Sequence, residues 1–409
     1  MRQRRASAIS DSNSRPGLCA AASMPIMPIL VPDGCRGCPS THVPPASRGC
    51  QAVSDRLRHL SNLRPAELVQ LAESLGARSF RGRQITRALY ERKVATIDEM
   101  TDLPADLRER LEQDHGLPHF TVRQLSESED LSSKYLFELD DGALIESVAM
   151  QRPTGRSTWC LSSQVGCRMA CTFCATGRMG MVRQLSTSEI VGQVLELWRR
   201  HPSDTHPNLV FMGMGEPLDN LDALLPALDI LTDESGIGLS ARRITVSTAG
   251  LVDGIRTLMQ QERGVGLAIS LTTGDEAERR ELMPVAGQVP MRELLEVAAS
   301  YGRHFRRKVT LECAIIAGRN DDLDHARRLL KLARKGPFKI NLIPLNPIDG
   351  FAGERPDSSS LDAMVDLLWS EGIVTTVRDS QGREVDAACG QLVRKQQRRP
   401  EGAPRNRAV

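Results

Sequence analysis

Aromatic side chains are scarce: eight Phe, three Tyr and three Trp in 409 residues, or 3%. That excludes the broad base-stacking platforms with which single-strand binders hold nucleic acid. Long apolar runs are also missing. None approaches the roughly 18 residues that a membrane-spanning helix needs, so no membrane association is expected. Net charge is nearly absent at +2, which argues against a chain that is basic along its whole length. What remains is ordinary soluble composition, 40% hydrophobic and 25% charged. The length suits one large domain, one smaller one and unstructured ends.

The small net charge hides an asymmetry. Residues 1–60 hold eight Arg and three Asp, and residues 391–409 hold six Lys or Arg and one Glu. Each end therefore carries +5, leaving about −8 for the body between them. Basic tails on an acidic body could grip a phosphate backbone, or could simply be solvated disordered ends. Arg2, Arg4 and Arg5 precede a mildly apolar stretch, Gly17 to Val31, that weakly resembles a targeting peptide. Pro25, Pro28 and Pro32 break it, so the reading is a disordered extension or a start codon placed too early.

Ten cysteines fall into groups. Cys19, Cys35, Cys38 and Cys50 lie in the extension, where the Cys35/Cys38 pair lacks the second pair that a structural zinc site would need. Cys313 sits in an apolar run and reads as core packing, and Cys389 stands alone near the end. Cys167, Cys171 and Cys174 fall within eight residues, with Cys160 just upstream. A tight triplet of thiols reads as metal ligation in a reducing, cytoplasmic setting and not as a disulfide framework.

Residues 1–60, rich in Pro, Ser, Gly and Arg, read as disordered, as do residues 393–409. Helical patterns follow from Pro65 to about Leu75, Gly82 to Lys93 and Pro104 to Gln113. The alternation Ser133–Leu139, the turn Asp141-Gly142 and the run Ala143–Met150 predict a β-hairpin. Residues 61–152 thus form a small α+β accessory domain. From about Ser157 the pattern changes to repeated strand–helix units. Strands are expected at Thr158–Ser162, Leu209–Met212, Arg243–Ser247, Gly266–Leu271, Val309–Ile316, Lys339–Leu345 and Ile373–Val377. Helices are expected at Thr187–Arg200, Leu221–Thr232, Arg292–Tyr301, Asp324–Arg334 and Leu361–Ser370, the first opened by the capping box Ser186/Glu189. Residues 153–392 are therefore an α/β domain, a partial or full (βα) barrel with its chemistry at the C-terminal strand ends.

After the first of those strands comes Cys167-Arg168-Met169-Ala170-Cys171-Thr172-Phe173-Cys174, a CxxxCxxC spacing. Three soft thiolates suit iron–sulfur or zinc ligation. A structural zinc site wants a fourth local ligand, whereas a catalytic cluster keeps one iron open. Gly213-Met214-Gly215-Glu216-Pro217 closes the second strand, and its carboxylate can receive an ammonium group. Ser247, Ser270 and Asn346 end later strands and can donate or accept hydrogen bonds there, although buried Ser and Asn more often satisfy neighbouring backbone.

CxxxCxxC is the signature of the radical S-adenosylmethionine (SAM) superfamily. The flanking residues Ser162-Ser163-Gln164-Val165-Gly166 and Ala175-Thr176-Gly177, with Asp386-Ala387-Ala388-Cys389-Gly390-Gln391-Leu392, resemble the RlmN/Cfr family of RNA adenine methyltransferases over about residues 61–392. The resemblance implies one 4Fe-4S cluster on Cys167, Cys171 and Cys174. It also implies a SAM site formed by Gly215, Glu216, Ser247, Ser270, Leu271, Thr272 and Asn346. Relatives usually read Ser-Leu-His where this chain has Ser270-Leu271-Thr272, which puts affinity or substrate range in question more than reaction type.

Two SAM molecules per methylation are implied: one methylates Cys389, and a second, cleaved reductively, activates that methyl group for addition to the base. Cys160 matches the resolving cysteine that would form a transient disulfide with Cys389, and Glu146 matches the proton acceptor. Gly215-Glu216-Pro217 and Asn341–Pro347 look closer to the RlmN type, which modifies adenine C2, than to the Cfr type, which modifies C8. The implied substrates are 23S rRNA and tRNA, with an electron donor such as flavodoxin, and nothing demands more than a monomer. Two other classes stay open: a non-catalytic RNA-binding factor that keeps the fold, and a zinc-binding structural protein.

Overall fold

A computed structural model describes residues 58–151, 155–203, 205–378, 382, 385–388 and 390–392. The extension carrying Cys35 and Cys38, and the tail 393–409, lie outside these. Three helices come first: α1 (Pro65–Ser74), α2 (Ser79–Tyr90) and α3 (Ala105–Asp114). Pro65 opens α1 at the position where its missing N–H costs nothing. Gly82 lets α2 press against α1, since a Cβ there would stand 2.4 Å from the Val69 Cα.

The rest is built on one ten-stranded sheet. Its strands in chain order are β1 (Thr121–Glu127), β2 (Ser132–Glu138), β3 (Leu144–Gln151), β4 (Ser157–Cys160), β5 (Asn208–Phe211), β6 (Ile244–Thr248), β7 (Gly266–Ser270), β8 (Val309–Ile315), β9 (Phe338–Pro344) and β10 (Thr375–Val377). Each strand pairs with the next in chain order, so the two sheet ends are β1 and β10. Strands β4 to β10 are parallel, while β1 to β4 pair antiparallel. The barrel is therefore partial. The hairpin expected in the accessory module is joined to it edge to edge, with Val148 opposite Cys160.

Parallel neighbours need crossover connections, and helices supply them. They are α4 (Thr187–Arg200), α5 (Leu221–Thr232), α6 (Val252–Gln260), α7 (Glu276–Leu282), α8 (Met291–His304), α9 (Leu323–Ala333) and α10 (Ser358–Ser370). The capping box is present in α4: Ser186 Oγ accepts from the Glu189 N–H at 3.2 Å, and Glu189 Oε2 accepts from the Ser186 N–H at 2.8 Å. The apolar face of α4, with Ile190, Val191, Val194 and Leu197, is fully buried against the sheet. Buried Gln193 on the same helix accepts from Ser162 N–H and Ser147 Oγ and donates to the Ser162 carbonyl, fixing where the chain leaves β4.

One buried group sets a pH limit on stability. His325 in α9 is 0% exposed and neither ring nitrogen has a hydrogen-bond partner. Burial pushes its pKa from 6.5 down to about 4, with Arg328 acting the same way and Glu278, Asp322 and Asp275 opposing. The unfolded chain takes up this proton first, so the contribution is present above pH 6.5 and lost as pH falls toward 4. Its ceiling is on the order of 3 kcal/mol. Denaturant midpoints followed from pH 7 to pH 4 should fall less steeply in His325→Leu than in the parent chain. Equal slopes would show that this imidazole does not titrate on unfolding.

Candidate active site

The loop after β4 is held from several sides. Ser162 Oγ donates to the Glu146 carbonyl at 2.6 Å and accepts from the Met214 N–H at 2.9 Å, tying β3, β4 and the end of β5 together. Buried Asn220 donates to the Ser163 and Leu185 carbonyls, both at 2.8 Å. Residues Gln164–Gly166 then pair antiparallel with Met181–Gln184, and these two short strands bracket the cysteine loop. Within it, Cys167 N–H donates to Gly180, Thr172 N–H to Leu282 and Ala175 N–H to Gly390.

All three loop cysteines line one cavity of about 180 Å³ at the C-terminal ends of the strands. Gly215, Glu216, Ser247, Ser270, Thr272 and Asn346 line it too. Leu271 does not; its side chain is fully buried in the main core. Cys160 lines a second cavity of about 330 Å³, which shares Met212 and Glu312 with the first. Glu146 lines neither. It lies on β3, two residues from the partner of Cys160, and therefore on the same sheet face. Its carboxylate, 2% exposed, is 3.3 Å from Lys134 Nζ, which also donates to the Asp386 carbonyl at 3.2 Å. Cys389 lies outside the described residues. Of its neighbours, Gly390 lines the first cavity and Ala388 the second. Cys313 is packed in the core, fully buried.

Electrostatics follow burial. The Cys167 thiol is pushed up to about 12 and the Cys171 thiol is pushed up further still, chiefly by loss of solvent and secondarily by the other loop thiols and Glu216. Ligation would have to displace these protons. Among the described residues, no three His, Cys, Asp or Glu side chains gather around a point where one ion could sit. The ligands of a cubane each bind a separate iron, so they surround a volume instead of sharing a point. The thiols, in a pocket with no further Cys or His among its described lining residues, fit such a cluster with one iron left open.

The Glu216 carboxylate accepts from the Leu218 N–H at 3.1 Å and the Ala249 N–H at 2.7 Å. Burial nevertheless raises its pKa to about 7. The reason for Gly213 and Gly215 differs from ligand approach. A Cβ on Gly213 would stand 2.6 Å from the Leu161 carbonyl oxygen, and one on Gly215, whose φ is 106°, 2.7 Å from Ser163 Oγ. The glycines let the turn seat on the β4 exit, which brings Glu216 to the cavity wall. Ser247 and Ser270 hydroxyls lie 3.4 Å apart across β6 and β7. A carboxyl group and hydroxyl and amide side chains beside three thiols fit an amino acid carrying a sulfonium and a nucleoside.

Chain similarity decides the family. Residues 161–330 match the radical SAM superfamily, and residues 58–116 match the ribosomal RNA large subunit methyltransferase N-terminal domain. A probable dual-specificity RNA methyltransferase RlmN from Moorella thermoacetica is 44% identical over 81% of this chain and 96% of its own. The dual-specificity RNA methyltransferase RlmN of Desulfotalea psychrophila is 41% identical over 81% and 94%. The chain belongs to the RlmN family of radical SAM RNA methyltransferases. A solved radical SAM methyltransferase from Sphaerobacter thermophilus superposes with a TM-score of 0.79 at 39% identity, over 82% of this chain and 99% of that one. RlmN-family membership brings a 4Fe-4S cluster and SAM as cofactors, and the cavity has donors for both.

Sequence reasoning missed three charged residues that line this RlmN-family cavity or contact residues named above. Glu312, in the centre of β8, is 6% exposed and lines both cavities. Burial raises its pKa against the opposing effects of Arg378, Asn341 and Lys339. A lone carboxylate inside the apolar run Val309–Ile315 was the available signal. Lys134, the partner of Glu146, and Arg279 gave none. Arg279 is 0% exposed and donates to the Ala249 and Ala286 carbonyls, and its field acts on Cys171. Thr272 adopts φ 68°, a conformation costing a β-branched residue roughly 1–2 kcal/mol. Its N–H donates to the Glu312 carbonyl at 3.0 Å and its hydroxyl reaches Met283 Sδ at 3.2 Å.

Proposed function

We propose that this enzyme methylates C2 of an adenosine in the peptidyl-transferase region of 23S rRNA, and also the adenosine beside the tRNA anticodon, using Cys389 as methyl carrier. One observation carries the reading. The cavity that gathers the three loop thiols with Glu216, Ser247, Ser270, Thr272 and Asn346 abuts the cavity of Cys160 through a shared wall. The RlmN relatives are called dual-specificity, which supports two RNA substrates. In this reading residues 61–152 hold the RNA, residues 153–392 carry the chemistry, and the protein works as a cytoplasmic monomer with an electron donor such as flavodoxin.

Cys167, Cys171 and Cys174 would hold the cluster, and Glu216 with the Ser and Asn side chains would hold SAM. When bound, these groups supply one transferable methyl group and one electron-driven cleavage that opens a C–H bond, so two SAM molecules serve each methylation. The Cys389 thiolate accepts the methyl group, and its activated carbon then bonds to adenine C2. Glu146 removes the proton from C2, with Lys134 fixing its carboxylate, and the unpaired electron of the adduct would pass to the cluster that the loop thiolates hold. The Cys160 thiolate attacks the Cys389 sulfur and breaks its bond to the base-bound carbon. That carbon leaves with the electron pair and takes up a proton from solvent to complete the methyl group. The two cysteines are left as a disulfide that needs reduction.

Mass spectrometry of adenosines from rRNA and tRNA, after incubation with reduced, reconstituted enzyme, tests the proposal. The expected product is 2-methyladenosine in both RNAs. The C8 isomer would reassign the regiochemistry to the Cfr type, and no methyladenosine would reject RNA methylation by this chain.

A further inference from the structure

The second cavity has a character that the chemistry above does not use. Its lower wall is built from the N-terminal ends of the parallel strands: Thr158 of β4, Asn208 of β5, Thr310 of β8 and Lys339 of β9. Arg242 and Arg243, just before β6, stand exposed at its rim, and Arg378 lines it after β10. Among the described residues, the single carboxylate on this wall is Glu312, buried at the junction with the first cavity, and its Oε2 has no hydrogen-bond partner. Among the described residues, Arg242, Arg243 and Lys339 form no salt bridge. Arg243 donates only to the His206 carbonyl and, at 3.5 Å, to Asn208 Oδ1. Four described cations, Arg242, Arg243, Lys339 and Arg378, facing one cavity create a positive field, and low-dielectric walls strengthen it.

Geometry gives that field a direction. Cys160 and Ala388 sit in this cavity, and above it lies the wall shared with the cofactor cavity. A base that reaches the shared wall leaves its sugar and phosphate below, toward the cations. We infer that the mouth of the second cavity is a phosphodiester site: Arg242, Arg243 and Lys339 hold the RNA backbone beside the nucleotide whose base reaches Cys160. This rests on the substrate reading given above. It adds that the target strand enters through the end of the barrel opposite the cysteine loop.

The test uses the full, cluster-loaded chain without electron donor and a 23S rRNA transcript spanning the peptidyl-transferase region. R242E/R243E is compared with R303E/K331E, which makes the same change of charge on the outer helices α8 and α9. The first double variant should weaken RNA binding tenfold or more at fixed salt and lower the slope of log affinity against log salt by about 1–2. The control should lose less than about threefold. Equal losses in both would reduce the effect to net charge and overturn the inference. A second readout locates the contact: Lys339 should be acetylated by acetic anhydride in free protein and protected under saturating RNA. A Lys339 that stays equally reactive overturns it, even if both variants misfold. Wild-type protein that binds no RNA would instead sink the substrate reading, and this inference with it.

Discussion

Cys171→Ala is expected to give a folded protein that holds no 4Fe-4S cluster and cleaves no SAM. The change should not disturb the loop, because its fixed points are main-chain: Cys174 N–H on the Cys171 carbonyl, Thr172 N–H on Leu282 and Ala175 N–H on Gly390. In the proposed ligation, what is lost is one of three donors around the cluster volume, and the two remaining thiolates should not retain it. Iron should fall from about four atoms per chain to a trace, and the brown absorbance near roughly 400 nm should vanish with it. Cys313→Ala makes the matched control. Its thiol is fully buried in the β8 core, so iron content should persist while stability drops by about 1 kcal/mol. A Cys171→Ala protein that keeps its iron would remove the cluster from this loop.

Cys160→Ala should abolish turnover, by at least 100-fold, while RNA accumulates in covalent linkage to the protein. The proposed release step needs a thiolate to attack the Cys389 sulfur, and Cys160 is 7% exposed in the cavity that Ala388 also lines. The strand carrying it is paired on both sides, Val148 and Val210 flanking this residue, so truncation to Ala should leave the backbone in place. In the proposed sequence, methyl transfer to Cys389 and addition to the base do not involve Cys160, so the chemistry should stop one step later. A denaturing gel with labelled RNA reads the adduct, and peptide mass spectrometry should place it on Cys389. Clean turnover in this variant would exclude the assigned role.

Local periodicity carried most of the fold. The helices Thr187–Arg200 and Leu221–Thr232 fall at their expected limits, and all seven expected parallel strands are present within a few residues. The radical SAM (βα) architecture follows from that alternation. Short or weakly patterned pieces escaped: Val252–Gln260, Glu276–Leu282 and strand Thr121–Glu127. The joining of the hairpin to the barrel escaped as well, because backbone pairing between β3 and β4 leaves no mark on side-chain pattern. Of the residues singled out for distinctive chemistry in short motifs, the thiol triplet, Glu216 and the strand-end Ser and Asn share one cavity. Glu312 and Arg279 were not legible, since their significance lies in burial beside a cavity assembled from distant strands. Thr272 was legible as a departure, but its left-handed backbone was not.

The contacts of residues 390–392 bear on how the cysteine loop keeps its shape. Ala175 N–H donates to the Gly390 carbonyl at 2.7 Å and Thr176 Oγ1 to the Leu392 carbonyl at 2.6 Å, so two segments far apart in sequence are tied together directly after Cys174. If residues 390–392 undock, the Ala175 amide loses its acceptor. Its exchange with solvent therefore reports whether the segment beside Cys389 is seated on the loop.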